Sequence, residues 1–122
     1  MANILICDDE SNIRKSINNI LSDEGHTVYE AESGLKGLSI CRENKIDIAI
    51  IDIWMPGLTG TDMLEKINEM ESDIVTIIIS GHERSDESAK LIEKSAFYFM
   101  EKPFSLDSLL DVVYKALKHK KK

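Results

Sequence analysis

The chain has 122 residues, 43% of them hydrophobic, and its 22 acidic against 15 basic residues give a net charge of -7. A chain of this size buries roughly two-thirds of its unfolded surface on folding, so one domain can form a core without disulfides or metals, and the 30% charged fraction is ordinary for a globular protein. This composition excludes a disordered chain and argues against an electrostatic grip on nucleic acid. No apolar run approaches the roughly 20 residues needed to cross a bilayer. The start, MANILICDDE, lacks the basic and apolar regions of a signal peptide. The expectation is a single cytoplasmic domain with no membrane span, its core covering about 3–118.

Short apolar runs alternate with amphipathic stretches along the chain, which predicts strands linked by crossover helices. The first strand is read over Ile4 to Cys7, followed by a helix from Ser11 to Asp23 with Ile13, Ile17, Ile20 and Leu21 on one face and Gly25 as its stop. A second strand, Thr27 to Ala31, leads to a helix capped by Ser33 and carrying Leu35, Leu38 and Cys41. The third strand is Ile48 to Asp52, and Thr59 or Thr61 opens a helix with Met63, Leu64 and Ile67. The fourth strand, Ile74 to Ser80, precedes a helix between Ser85 and Lys94 that has only Ala89, Leu91 and Ile92 to bury, and is therefore expected to be the most mobile element. Phe97 to Glu101 forms a fifth strand, on which Phe97 and Phe99 are expected to face inward and Tyr98 outward. Ser105 then caps a fifth helix carrying Leu109, Val112, Val113, Ala116 and Leu117. The basic tail, Lys118 to Lys122, reads as a solvated helix end or the start of a linker, and Cys7 and Cys41 read as small core hydrophobes.

Strands one, three and four are nearly continuous in Ile, Leu and Val, the pattern of parallel strands covered on both faces, so the fold class is a doubly wound α/β sheet. Ligands of such sheets bind beyond the carboxyl ends of the strands. There the sequence places Asp8-Asp9-Glu10, Asp52, Ser80-Gly81 and Lys102-Pro103. Each taken alone is as readily a cap, a turn or a solvated residue. Together they gather carboxylates, a hydroxyl and an ammonium at one edge. Clustered carboxylates repel unless a cation joins them, and oxygen ligands without His or Cys favour Mg²⁺. An Asp carboxylate in that setting serves as a nucleophile toward phosphorus, with a Lys stabilising the phosphoryl oxygens.

These residues resemble the receiver domains of two-component response regulators over essentially the whole chain. The matching pieces are Asp8-Asp9 after strand one, Asp52 followed by Met55-Pro56-Gly57, Ser80-Gly81 after strand four, and Lys102-Pro103-Phe104 after strand five. The resemblance implies a flavodoxin-like sheet of five parallel strands in the order 2-1-3-4-5 flanked by five helices. It implies that Asp52 is the phosphoacceptor and that Asp8, Asp9, Asp52 and the backbone carbonyl of Trp54 hold Mg²⁺. It further implies that Ser80, Gly81 and Lys102 meet the phosphoryl group and that the Lys102-Pro103 peptide is cis. Gly81 reads equally as a turn glycine. Ser80 and Phe99 match the family's switch pair, although Phe replaces the frequent Tyr and an ordinary core Phe fits as well. Ser95 stands where a Gly is common. Trp54 and His82 occupy the positions at which the family tunes hydrolysis of the acyl phosphate.

The strings around Asp52, Ser80 and Lys102 are most similar to the N-terminal receivers of nitrogen-regulatory, sigma-54-dependent transcription activators. That similarity implies a sensor histidine kinase as phosphoryl donor, and ATPase and DNA-binding output domains beyond this chain. Output would run through the fourth helix, fifth strand and fifth helix, with a phosphorylation-dependent homodimer on the same face. A stand-alone receiver acting by protein contact or phosphorelay is the alternative. An aspartate-nucleophile phosphatase is more remote, because its second carboxylate two residues after the nucleophile is here Trp54. No enzymatic turnover beyond self-catalysed phosphoacceptance and autodephosphorylation is expected.

Overall fold

Three runs of branched apolar residues make the centre of the molecule. A computed structural model describes residues 2–53, 55, 57–70, 73–81 and 96–120. In chain order its elements are β1 (Asn3–Cys7), α1 (Ser11–Asp23), β2 (Thr27–Ala31), α2 (Gly34–Glu43), β3 (Ile48–Asp52), α3 (Gly60–Glu69), β4 (Val75–Ser80), β5 (Tyr98–Glu101) and α4 (Leu106–Lys120). The expected helix between Ser85 and Lys94 lies outside the described residues, so α4 corresponds to the fifth helix read from the sequence. The strands form one parallel sheet in the order β2-β1-β3-β4-β5.

Strand alternation divides the core into two layers. Ile4, Ile6, Ile48, Ile50, Ile77 and Ile79 meet Ile17 and Leu21 of α1 and Leu109, Val112 and Val113 of α4. Their neighbours Leu5, Cys7, Ala49, Ile51 and Ile78 meet Leu38 and Cys41 of α2 and Met63, Leu64 and Ile67 of α3. β3 and β4 are buried at every position, as strands covered on both faces must be. Each fully buried Ile or Leu contributes about 1.5 to 3 kcal/mol relative to exposure.

Local chemistry sets the helix ends. Ser33 Oγ accepts the Lys36 N–H (3.2 Å), Thr59 Oγ1 accepts the Asp62 N–H (3.1 Å), and Ser105 Oγ accepts the Ser108 N–H (3.0 Å). Thr59, not Thr61, therefore opens α3. Gly25 follows α1 at φ 92°, a left-handed conformation that suits glycine and stops the helix.

One expectation is corrected at the edge strand. Tyr98 is exposed, as read, but Phe97 and Phe99 do not share a face: Phe97 packs against the α1/α4 layer and Phe99 against the α2/α3 layer. Phe97 precedes the first residue of β5, so the two-residue period does not extend to it.

Candidate functional site

The parallel register brings the carboxyl ends of the strands to one edge. Cys7 pairs with Ile51, Asp52 with Ile79 and Ser80 with Glu101. Backbone bonds continue past the strands: Asp8 N–H reaches the Ala31 carbonyl (3.1 Å), Ile53 N–H the Ile79 carbonyl (3.0 Å), and Lys102 N–H the Ser80 carbonyl (2.8 Å). The chemistry therefore sits on loops held by the sheet itself. The Lys102-Pro103 peptide is cis.

Asp8, Asp52 and Ser80 are buried, at 0%, 3% and 1% exposure. The Lys102 ammonium joins the two strand ends, donating to Asp8 Oδ2 at 3.1 Å and Asp52 Oδ2 at 3.2 Å. It also reaches Glu10 Oε1 at 3.4 Å. Burial pulls this lysine's pKa down, but the Asp8 hydrogen bond and the charges of Asp52 and Asp8 outweigh it, and the ammonium is held above the ordinary lysine range. Asp8 Oδ1 meanwhile accepts the Glu10 N–H at 2.9 Å, which fixes the acidic turn between β1 and α1. Among the described residues, no buried side-chain polar atom lacks a hydrogen-bond partner.

One carboxylate oxygen from each of Asp8, Asp9, Glu10 and Asp52 lies within 4.8 Å of the others. Four oxygen donors with no imidazole or thiolate among them suit a hard cation such as Mg²⁺. The nearest thiol, Cys7, is pushed up to about 12 by burial and neighbouring Asp8, so it stays protonated and offers no soft ligand. Donor chemistry thus fits the ion expected from sequence.

Asp8, Asp9, Asp52 and Lys102 come together as expected, and Ser80 and Gly81 end the neighbouring strand. A Cβ on Gly81 would meet Lys102 Cβ at 3.5 Å and Cδ at 3.7 Å, ordinary contact, so a side chain there would lie against the lysine stem. Ser80 and Phe99 belong to the same side of the sheet, since Ile78 pairs with Phe99 and both follow the α2/α3 parity. Trp54 and His82 lie outside the described residues, as do Pro56 and Ser95. Sequence reasoning passed over two residues. Glu10 was visible only as the third acid of a run; its reach to Lys102 spans 92 positions. Arg14 donates from Nη1 to the Asp8 carbonyl at 2.7 Å, which no local pattern signals.

The sequence model of the Response regulator receiver domain family matches residues 4–114. Sporulation initiation phosphotransferase F of Bacillus subtilis is 31% identical over 93% of this chain and 92% of its own length. The nitrogen assimilation regulatory protein NtrX of Azorhizobium caulinodans is 32% identical over 93% of this chain, which spans 26% of that protein. Among solved structures, a CheY-like receiver domain from Methanospirillum hungatei superposes with a TM-score of 0.94 at 28% identity, covering 99% of this chain and 97% of that one. The chain therefore belongs to the receiver domain family of two-component response regulators, the modules of phosphorylation-based signalling.

Proposed function

We propose that the chain is a phosphorylation-activated switch in which Asp52 takes a phosphoryl group from the phosphohistidine of a sensor kinase. The observation that carries this reading is the Lys102 ammonium at 3.1 and 3.2 Å from the buried carboxylates of Asp8 and Asp52, with Asp9 and Glu10 completing the acidic cluster. An Asp52 carboxylate oxygen attacks phosphorus, the P–N bond breaks, and the donor imidazole leaves. Lys102 then moves its charge from the carboxylates toward the phosphoryl oxygens, and the Ser80 hydroxyl and the open side of Gly81 receive the group. Asp8, Asp9, Asp52 and the Trp54 carbonyl expected from the sequence would hold Mg²⁺, which would supply charge neutralisation for the transferred group. An apolar cleft of about 570 Å³ between α1 and the segment Pro103 to Leu106 opens beside Lys102 and Gly81, and suits a kinase helix carrying the donor histidine.

The added charge of about -1.5 to -2 has to bias a two-state element. In this reading Ser80 turns toward the phosphate and Phe99 follows, and output runs through β5, α4 and the helix expected at Ser85 to Lys94. Tyr98 and Tyr114, both exposed, present that face. Similarity to NtrX favours a transcription-regulating output beyond this chain, with ATPase and DNA-binding domains, and dimerisation on the same face. The linker read from the sequence at 118–122 would begin later, because α4 runs on to Lys120 and its His119 ring lies 4.9 Å from Phe97. The near full-length match to Sporulation initiation phosphotransferase F favours a second reading, a stand-alone relay in the cytoplasm. Trp54 and His82 set the lifetime of the phosphorylated form. Dephosphorylation rates of Trp54→Asn and His82→Ala that both equal wild type would remove that assignment.

Intact mass after incubation with acetyl phosphate tests the central claim. Wild type gains one phosphoryl group only when Mg²⁺ is present, and Asp52→Ala gains none. A wild-type chain that stays unmodified under both acetyl phosphate and a histidine-kinase donor overturns it.

A further inference from the structure

The acidic turn is held from behind by residues that phosphoryl transfer does not touch. Arg14, in the first turns of α1, is only 13% exposed and divides its guanidinium between two partners. Nη1 donates to the Asp8 backbone carbonyl at 2.7 Å, and Nε donates to Glu30 Oε1 on β2 at 3.2 Å. Its own backbone N–H reaches the Glu10 carbonyl at 3.1 Å. Glu30 is itself fixed, since Oε2 accepts from Asn18 Nδ2 at 2.7 Å, and the Asn18 Oδ1 accepts from Ser22 Oγ at 2.6 Å. The hydrogen bond from Asn18 and the Arg14 contacts outweigh burial and hold the Glu30 carboxyl below its usual range, so it stays anionic.

The result is a closed frame around one residue. Asp8 N–H is bonded to the Ala31 carbonyl, and Asp8 C=O is bonded to Arg14, whose other partner Glu30 is the neighbour of Ala31. Both peptide groups of Asp8 are thereby tied to β2, and its carboxylate lies between the Glu10 N–H and the Lys102 ammonium, in the acidic cluster. A lysine could carry the charge but not the planar fork that grips a carbonyl and a carboxylate together.

We infer that Arg14, braced by Glu30, is a positioning residue that orients the acidic turn and so sets the affinity for Mg²⁺; the inference rests on the proposed Mg²⁺ site. Two effects oppose each other here, which makes the sign informative. A cation this close to the acidic cluster repels Mg²⁺, so loss of charge alone would tighten binding. Loss of orientation weakens it, and partners that orient metal ligands typically contribute about 10- to 100-fold in affinity. The Asp8 carboxylate keeps its bonds to the Glu10 N–H and Lys102, which places the expected effect at the low end.

The test is titration of the full chain with Mg²⁺ alone, followed by amide shifts of the acidic turn, with thermal unfolding in EDTA measured alongside. Arg14→Lys raises the Mg²⁺ dissociation constant about tenfold, and Glu30→Ala raises it in the same direction. Asp47→Asn, which weakens the bond to Asn3 N–H at the far end of β1, lowers the melting temperature and leaves the constant unchanged. An Arg14→Lys constant within twofold of wild type, or a tighter one, overturns the inference; if that variant does not fold, Asn18→Ala, which loosens Glu30 without changing a charge, decides by the same criterion. A wild-type chain whose amides ignore Mg²⁺ overturns this inference and the proposed site together. Wild-type binding that the variants do not alter overturns the inference alone.

Discussion

Removing the Lys102 ammonium leaves two buried carboxylates facing each other, and the cost can be worked from the geometry. The Asp8 and Asp52 side chains are 0% and 5% exposed with oxygens within 4.8 Å, and Lys102→Met leaves them without the ammonium between them. Like charges at that separation repel by about 3.5 kcal/mol at an effective dielectric near 20. Breaking a buried ion pair from one side typically costs about 3 to 5 kcal/mol, so the two routes agree. For a domain of this size the loss corresponds to a melting temperature lower by roughly 10 to 20 °C. Urea unfolding in EDTA measures it. The second variant Lys102→Met/Asp52→Asn recovers most of the loss because the repulsion is gone, and saturating Mg²⁺ recovers it in the single variant. The pH dependence has a fixed sign. Lys102 is raised in the folded state above its ordinary value of 10.5, so its contribution is complete below that value and is lost as pH rises through the folded pKa. From neutral pH upward the gap between wild type and Lys102→Met should therefore stay flat and close in strong alkali, whereas in acid it narrows as protonation removes the carboxylate repulsion. A Lys102→Met midpoint equal to wild type in EDTA, or no recovery with Asp52→Asn, would refute the account.

Two further outcomes follow from packing and burial. A Cβ on Gly60 would stand 2.4 Å from the Asp52 carbonyl oxygen and 2.5 Å from Ile53 Cα, both backbone. Gly60→Ala must shift the end of β3 or the start of α3, costing about 1 to 3 kcal/mol and slowing phosphorylation from acetyl phosphate; a variant as stable and as reactive as wild type would contradict this. Cys7 and Cys41 are pushed up to about 12 and about 11, burial being the main cause, so a thiol reagent near neutral pH should label neither in the folded chain and both after unfolding. Rapid labelling under native conditions would contradict the packing at those residues.

Strand ends and helix caps were legible because they depend on neighbours in sequence. The Ile-rich runs ending at Cys7 and Asp52, and the hydroxyls of Ser33 and Ser105, sit where local rules put them. Asp8, Asp52 and Lys102 were legible for a related reason: in a parallel sheet all carboxyl ends share an edge, so residues 94 apart meet once each strand is placed. What local rules could not supply was anything set by register across elements. Arg14 meets Glu30 only because α1 lies over β2 at one particular rotation, and Glu10 meets Lys102 only because the cluster is tight. Phe97 shows the same gap at smaller scale, since one residue of uncertainty in where β5 begins decides which layer receives the ring.

The sheet is also a partition wall. Ile79 and Ser80 are neighbours in β4, yet Ile79 belongs with α1 and α4, whereas Ser80 follows the parity of Ile78 and Phe99 beside α2 and α3. A rearrangement that starts at the Ser80 hydroxyl and draws in the Phe99 ring therefore has its room on one side only. The Ile and Val packing against α1 and α4 lies on the other side, in contact with that room only through the strands. A switch that starts at Ser80 would therefore have to cross the sheet through β4 and β5 themselves to reach α4.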